Sequence, residues 1–227
     1  LNMSTERIGY RVIEQIPRVE PDLLARAARY SAPELCDGEI VYNAMDYHIK
    51  PMVTQKKIVG QAVTLKLTLG DSLMVTKAMS VCRPGDVLVI DGRGSGNNAV
   101  WGDQRSLTAK LLGLGGVVID GAFRDIDGNE EIGFPIYARA VTCGCSTKNS
   151  HGEVNVPISC GGVAVHPGDI IVGDRNGVVV VPLAFAEQII ASAQEKAERV
   201  ERLKAEIRAS GKVIPDSFAE KLAKLGY

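Results

Sequence analysis

The sequence predicts a mixed α/β fold, and three patterns predict it. The apolar runs GDVLVIDG and GVVIDG flank a helix-like DQRSLTAKLLG, giving a strand, helix, strand unit. Short β segments separated by Gly, Pro and Asp turns come next, from Ile136 to Val181. A long amphipathic stretch then runs from Leu183 to Ser210.

In chain order, Leu23, Leu24, Ala27 and Ala28, followed by SAPELCD, predict two short helices between Pro21 and Glu39, the second capped by Ser31. Ile58 to Leu69 is β-rich, and Asp71 opens a helix through Leu73, Val75, Ala78 and Val81. The central unit has continuous apolar strands, as expected of a parallel sheet covered on both faces, and its crossover should be right-handed. Further strands are predicted at Ile136 to Thr142, Gly162 to Val165, Ile170 to Val172 and Val178 to Val181. The terminal stretch places Phe185, Ile189, Ile190, Ala193, Ala197, Val200 and Leu203 on one helical face, ends at Gly211, and precedes a final helix after Pro215. These elements divide into an α/β domain at 3–182 and a helical extension at 183–227, expected to pack on a neighbouring subunit or to stand as a solvated surface helix.

The 227 residues are 45% hydrophobic, enough for one large core. Lys plus Arg total 26 against 27 Asp plus Glu, so a net charge of -1 offers no broad attraction for nucleic acid or anionic lipid. No apolar run is long enough to span a membrane. The five cysteines, Cys36, Cys82, Cys143, Cys145 and Cys160, form no CxxC pair and follow no secretory leader, so reduced thiols in the cytoplasm are expected. Cys143 and Cys145 read as buried small hydrophobes rather than metal ligands. His48, His151 and His166 are too scattered for a metal set, and His166-Pro-Gly-Asp reads as a turn. Leu1 and Asn2 ahead of Met3 read as a cloning remnant.

The chemistry concentrates at Asp103 and, after twenty intervening residues, Arg124-Asp125. In a strand, helix, strand unit the loops leaving both strands meet at the carboxyl edge of the sheet, where ligands of open α/β sheets bind. Asp103 is placed as a helix cap, with the amides of Gln104, Arg105 and Ser106 behind it as an anion site. Arg124 offers a permanent planar cation for a carboxylate or enolate oxygen, and Asp125 a hard oxygen for a magnesium-type ion. Asp103 reads equally well as a plain cap, and Arg124-Asp125 as a charged surface turn, although their position after an apolar strand favours a cleft. Gly94-Ser-Gly96-Asn-Asn-Ala99 approximates a dinucleotide fingerprint, but the loop is long and the predicted helix starts late for one. Trp101 reads as core packing ahead of cleft wall.

The stretches RPGDVLVIDG, AVWGDQRSLTAKLLGLGGVVIDGAFRD, GFPIYARAV and HPGDIIVGDRNGVVVVP resemble the family of regulator of ribonuclease E activity A and 4-hydroxy-4-methyl-2-oxoglutarate aldolase, over residues 35–210. The resemblance implies a β/β/α swivelling-type three-layer fold with N-terminal helices and a long C-terminal helix, assembled as a homotrimer or homohexamer with sites between subunits. It implies a class II pyruvate aldolase using Mg²⁺, Mn²⁺ or another divalent metal, with oxaloacetate decarboxylase activity and a small 2-oxo acid substrate. Asp103, Arg124 and Asp125 match the pattern of the aldolase branch, whereas branches lacking the first aspartate bind ribonuclease E as regulators without catalysis. By the resemblance Asp125 holds the metal and Arg124 the keto or enolate oxygen. Gly102, Gln104 and Arg105 bind the carboxylate, Asp103 positions a water, and Asp37 reaches in from the next subunit. Two departures bear on substrate choice: Gln104-Arg105 stand where relatives are often apolar, and Gly128 stands where some carry a further acid.

Overall fold

The computed structural model describes residues 7–37, 42–211, 214 and 216–227. Expectations that touch Leu1, Asn2, Met3, Glu39 or Pro215 lie outside these residues.

Four strands run parallel at the centre: β2 (Ile58–Leu67), β3 (Val87–Trp101), β4 (Gly116–Phe123) and β5 (Ile136–Val141). β1 (Lys50–Pro51) pairs antiparallel with β5, while β6 (Gly152–Val154) and β9 (Ile170–Asp174) pair antiparallel with β2. β10 (Gly177–Val181) closes the far edge on β9. Every residue of β4 is buried, which requires cover on both faces and accounts for its unbroken apolar run.

That cover makes three layers. On one face Val63, Leu65, Leu88, Ile90, Val117 and Ile119 pack with α3 (Leu73–Val81) and with Ala109 of α4 (Asp103–Leu111). On the other, Ala62, Val87, Val89 and Val118 meet a separate hairpin of β7 (Ile158–Cys160) and β8 (Val163–Val165). The order is therefore hairpin, mixed sheet, helices, which is the β/β/α arrangement expected.

A third cluster lies on the antiparallel end of the sheet, where β9 and β10 pack against α1 (Pro21–Ala27), α2 (Ala32–Cys36) and α6 (Ala186–Ser210). The expected Ser31 cap is present as a capping box with Glu34. A 3₁₀ turn at Leu183–Phe185 precedes α6, and Gly211 (φ 62°) ends it, its amide donating to the Ile207 carbonyl. Buried positions in α6 stop at Ala193, whereas Val200 and Ile207 are each 41% exposed. α7 (Asp216–Lys224) completes the chain.

Several elements differ from expectation. Residues 92–101, expected as a loop, continue β3 as an irregular strand with register shifts against β4 at Ser95 and Ala99. Gly94 to Ala99 thus form no tight turn into a helix, which removes the geometry a dinucleotide fingerprint needs. A helix not expected from sequence, α5 (Ile126–Ile132), comes directly after β4. Cys143 and Cys145 are exposed rather than buried, because they sit on the loop leaving β5; Cys160 is the buried thiol. His166 does form the turn with Asp169. No helix among the described residues is long and apolar enough to cross a membrane.

Candidate active site

β3 and β4 end side by side, with Trp101 paired to Phe123 and the Arg124 amide donating to the Trp101 carbonyl at 3.0 Å. The residues just beyond these two strand ends must therefore meet: Gly102-Asp103 leaves one strand and Arg124-Asp125 the other. They line one cavity of about 340 Å³, with Gln104 and Arg105 beside them. This cavity sits where the carboxyl edge of an open sheet places ligands.

Asp125 occupies the N-cap position of α5 in the left-handed region (φ 63°, ψ 53°), yet its side chain makes no capping bond. A non-glycine residue in that conformation costs about 1–2 kcal/mol, so its surroundings must hold it there. The holding group is the buried Asn129, whose Nδ2 donates to the carbonyls of Arg124 at 2.8 Å and Asp125 at 2.7 Å. Asn129 Oδ1 accepts from Ser106 Oγ, and Ser106 Oγ accepts from Trp101 Nε1 at 2.8 Å. A buried relay thus ties β3, α4 and α5 to the Arg124-Asp125 turn. Trp101 serves as core and wall together: it is 1% exposed, stacks on Phe134, and borders the cavity.

The Asp125 carboxylate points across to Gly102, where a Cβ would lie 2.5 Å from Asp125 Oδ2. Only glycine leaves that space. Arg124 Nε stands 3.3 Å from the same oxygen. Asp103 is similarly accommodated, since a Cβ at Gly128 would come within 2.8 Å of Asp103 Oδ2. Gly128, the position where the resemblance allows a further acid, is thus the space that Asp103 occupies.

Gly102, not Asp103, is the N-cap of α4, in an extended conformation, and Asp103 is the first helical residue. The Asp103 carboxylate instead accepts from the Gln104 amide at 2.6 Å, and the Arg105 and Ser106 amides both donate to the Gly102 carbonyl at 3.1 Å. Among the described residues this leaves the Asp103 amide alone in the first turn without a partner, so the anion site expected at the Gln104, Arg105 and Ser106 amides is not open there. Arg105 does not project into the cavity as a free cation. Its guanidinium donates to the Val100 carbonyl and to the Ser72 carbonyl (2.9 Å) and hydroxyl (3.1 Å). Burial, and then the neighbouring Arg124, hold its pKa below the ordinary arginine value.

Asp37 stands exposed at the end of α2, among elements packed on β10 and α6, and does not line this cavity. The cavity is also lined by Cys145, Ser146 and Lys148, on the loop leaving β5, none of which the sequence pattern assigns to the site. The same edge rule could have found them, because β5 is the next parallel strand. This loop is clipped by Asp71, 1% exposed, whose Oδ2 accepts from Thr147 Oγ1 (2.7 Å), the Asn149 amide (2.8 Å) and the Ser150 amide (3.1 Å). Burial alone would raise the Asp71 pKa, but these bonds and one from Leu73 outweigh it and the net shift is downward.

Residues 32–180 match the family model RraA-like, described as Aldolase/RraA. A protein of Halalkalibacterium halodurans named "Putative 4-hydroxy-4-methyl-2-oxoglutarate aldolase" is 46% identical over 148 residues, 65% of this chain and 70% of the relative. One of the same name from Ectopseudomonas mendocina is 33% identical over 161 residues, 69% and 97% of the two chains. Among solved structures, Streptomyces coelicolor RraAS2, described as an unusual member of the RNase ES inhibitor RraA protein family, superposes with a TM-score of 0.76 at 27% identity, covering 84% of this chain and 99% of its own. An RNA-processing inhibitor RraA from Thermus thermophilis gives 0.61 at 31% identity, covering 67% and 93%. The fold and the sequence agree, and the chain belongs to the Aldolase/RraA family.

Proposed function

We propose that the protein is a divalent-metal-dependent pyruvate aldolase that cleaves 4-hydroxy-4-methyl-2-oxoglutarate or a related 4-hydroxy-2-oxo acid, and that it also decarboxylates oxaloacetate. One observation carries this reading: Asp103, Arg124 and Asp125 converge on a single cavity, with Asp125 held in a strained conformation that frees its carboxylate from helix capping.

The donor set suits a magnesium-type ion. Asp125 offers a hard oxygen in the space that Gly102 leaves, and the described residues contain no cluster of three or more His, Cys, Asp or Glu that would form an all-protein cage. Such an ion keeps much of its shell for water and substrate oxygens. Held by Asp125, it would polarise the substrate keto group and neutralise developing negative charge.

The residues divide the remaining work. The first turn of α4 meets the pyruvyl carboxylate with the open Asp103 amide and the positive end of the helix dipole. A water held by Asp103 takes the proton from the C4 hydroxyl. The C3–C4 bond then breaks, C4 becomes a carbonyl, and the electron pair passes to the C2 oxygen as an enolate. Arg124 meets that charge without reorganising, a contribution worth about 100- to 1,000-fold in rate. Protonation at C3 releases pyruvate. Oxaloacetate loses carbon dioxide through the same enolate, so one site serves both reactions.

The test is pyruvate release from 4-hydroxy-4-methyl-2-oxoglutarate and from oxaloacetate, with Mg²⁺, with Mn²⁺, with EDTA, and in Arg124→Ala. Activity that needs the metal and falls at least about 100-fold in the variant supports the reading. Silence throughout favours a second reading, a regulator binding ribonuclease E without catalysis, which the likeness to two RraA structures makes specific. Assembly as a homotrimer or homohexamer, with Asp37 completing a neighbour's site, belongs to the same proposal; the exposed Val200 and Ile207 on α6 support it.

A further inference from the structure

The guanidinium of Arg105 is committed to chain segments that border the cavity from different sides. One nitrogen donates to the Val100 carbonyl near the end of β3. The other donates to the Ser72 carbonyl at 2.9 Å and to the Ser72 hydroxyl at 3.1 Å, just ahead of α3. Ser146, which lines the cavity on the loop leaving β5, donates its own hydroxyl to Ser72 Oγ at 2.7 Å. A chain of bonds therefore runs from Arg105 through Ser72 to Ser146 and ties α4 to that loop.

Ser72 shows that the tie is specific. It is fully enclosed at the N-cap position of α3, where a serine hydroxyl ordinarily caps, yet its side chain makes no capping bond. Asp71 serves there instead, accepting from the Leu73 amide at 2.9 Å. A hydroxyl has one hydrogen and two lone pairs. Arg105 and Ser146 fill the lone pairs of Ser72, and its hydrogen goes to the Thr147 carbonyl at 3.4 Å, which also accepts from the Ser72 amide at 2.9 Å. The Asp71 clip holds Thr147, Asn149 and Ser150, while Ser146, on the other side of Thr147, is held by Ser72. The location disfavours a cation, since burial and the neighbouring Arg124 both oppose the charge of Arg105.

We infer that Arg105 is a positioning residue for this site: its planar fork fixes the distance between the first turn of α4 and the loop leaving β5, and so the width of the cavity that the substrate enters. It acts through Ser72 and Ser146 and does not touch the substrate. The inference rests on the aldolase reading for its effect on turnover. An arginine suits the task because its donors diverge in one rigid plane and reach the Val100 and Ser72 carbonyls together, whereas a lysine ammonium is a point charge on a flexible stem.

The test measures kcat and KM for 4-hydroxy-4-methyl-2-oxoglutarate with Mg²⁺ in wild type, Arg105→Lys, Ser146→Ala and the double variant. Arg105→Lys keeps the charge and loses the fork; its kcat should fall by about 10- to 100-fold while KM moves less than about threefold, which marks lost alignment rather than a lost contact. Ser146→Ala should also lower kcat, and the double variant should lose no more than Arg105→Lys alone, because both substitutions break one chain of bonds. Wild-type kcat in either single variant, a rise in KM that exceeds the fall in kcat, or losses that multiply in the double variant overturn the assignment. A maleimide reads the loop without turnover. In a Cys143→Ser background, alkylation of Cys145, the neighbour of Ser146, should speed up in Arg105→Lys because a loosened loop opens more often; an unchanged or slower rate overturns the assignment. Exchange of pyruvate methyl protons by wild type separates the two levels: its absence refutes the aldolase reading and leaves the alkylation rate to decide on Arg105, whereas exchange with an unaltered kcat in Arg105→Lys refutes Arg105 alone.

Discussion

Asn129→Ala tests whether the strained turn at Asp125 is held by a single buried amide. The substitution removes three hydrogen bonds: one accepted from Ser106 Oγ, and two donated to the Arg124 and Asp125 carbonyls. At about 1 kcal/mol net for each, the ceiling is about 3 kcal/mol. Release of the left-handed conformation at Asp125 returns part of this, about 1 kcal/mol, so a loss of about 2 to 3 kcal/mol is expected. For a chain of this size that is a fall in Tm of about 4 to 12 °C. Activity should suffer more than stability, because a displacement of about 1 Å at a catalytic group costs on the order of 100-fold. Differential scanning calorimetry and pyruvate release, read together on the purified variant, give both values. Asn129→Asp makes the comparison sharper, since it keeps the acceptor for Ser106 but sets a carboxylate against two carbonyl oxygens, and it should be the less stable of the two. If Asn129→Ala melts within about 1 °C of wild type and retains full activity, the relay does not hold the turn and the argument fails.

Three other substitutions probe the space, the clip and the proposed subunit contact. Gly102→Ala places a methyl 2.5 Å from Asp125 Oδ2; the carboxylate can swing away, so stability should change by less than about 1 kcal/mol while turnover falls by about 100-fold, and equal turnover would contradict the placement. Asp71→Asn should destabilise by about 1 to 3 kcal/mol at neutral pH. Because the Asp71 pKa is lowered on folding, the wild-type advantage is present above the ordinary aspartate value of 3.8 and lost as pH falls through the folded value; the two unfolding curves should converge in acid, and a constant gap would contradict the clip. Val200→Glu with Ile207→Glu should lower the assembled mass in analytical ultracentrifugation while leaving far-UV circular dichroism unchanged, and an unaltered mass would remove α6 from the interface.

The β3, α4, β4 unit was legible because its strands are buried on both faces and so carry unbroken apolar runs. The meeting of Asp103 with Arg124-Asp125 was legible for the same topological reason, although the cap lies one residue earlier than the pattern predicts, glycine being an acceptable N-cap that leaves room for Asp125. α5 was not legible, since IDGNEEI has two apolar residues and a glycine and its stability comes from tertiary contacts. The Gly- and Asn-rich end of β3 reads as loop, yet its backbone pairs with β4 and with the Cys145 loop, an outcome set by neighbours rather than propensity. Lys148 and Asp71 carry no periodic pattern, and only the fold shows that one anchors the segment bearing the other.

Cys145 borders the cavity and is exposed, while Cys160 is fully enclosed and its thiol is pushed to a high pKa by burial. Cys143 is the other exposed thiol and does not line the cavity, so a thiol-selective reagent added to the folded Cys143→Ser variant samples the mouth of the site and leaves Cys160 untouched. The rate at which Cys145 takes up a maleimide, followed by intact mass with and without pyruvate, would give an occupancy gauge that requires no turnover.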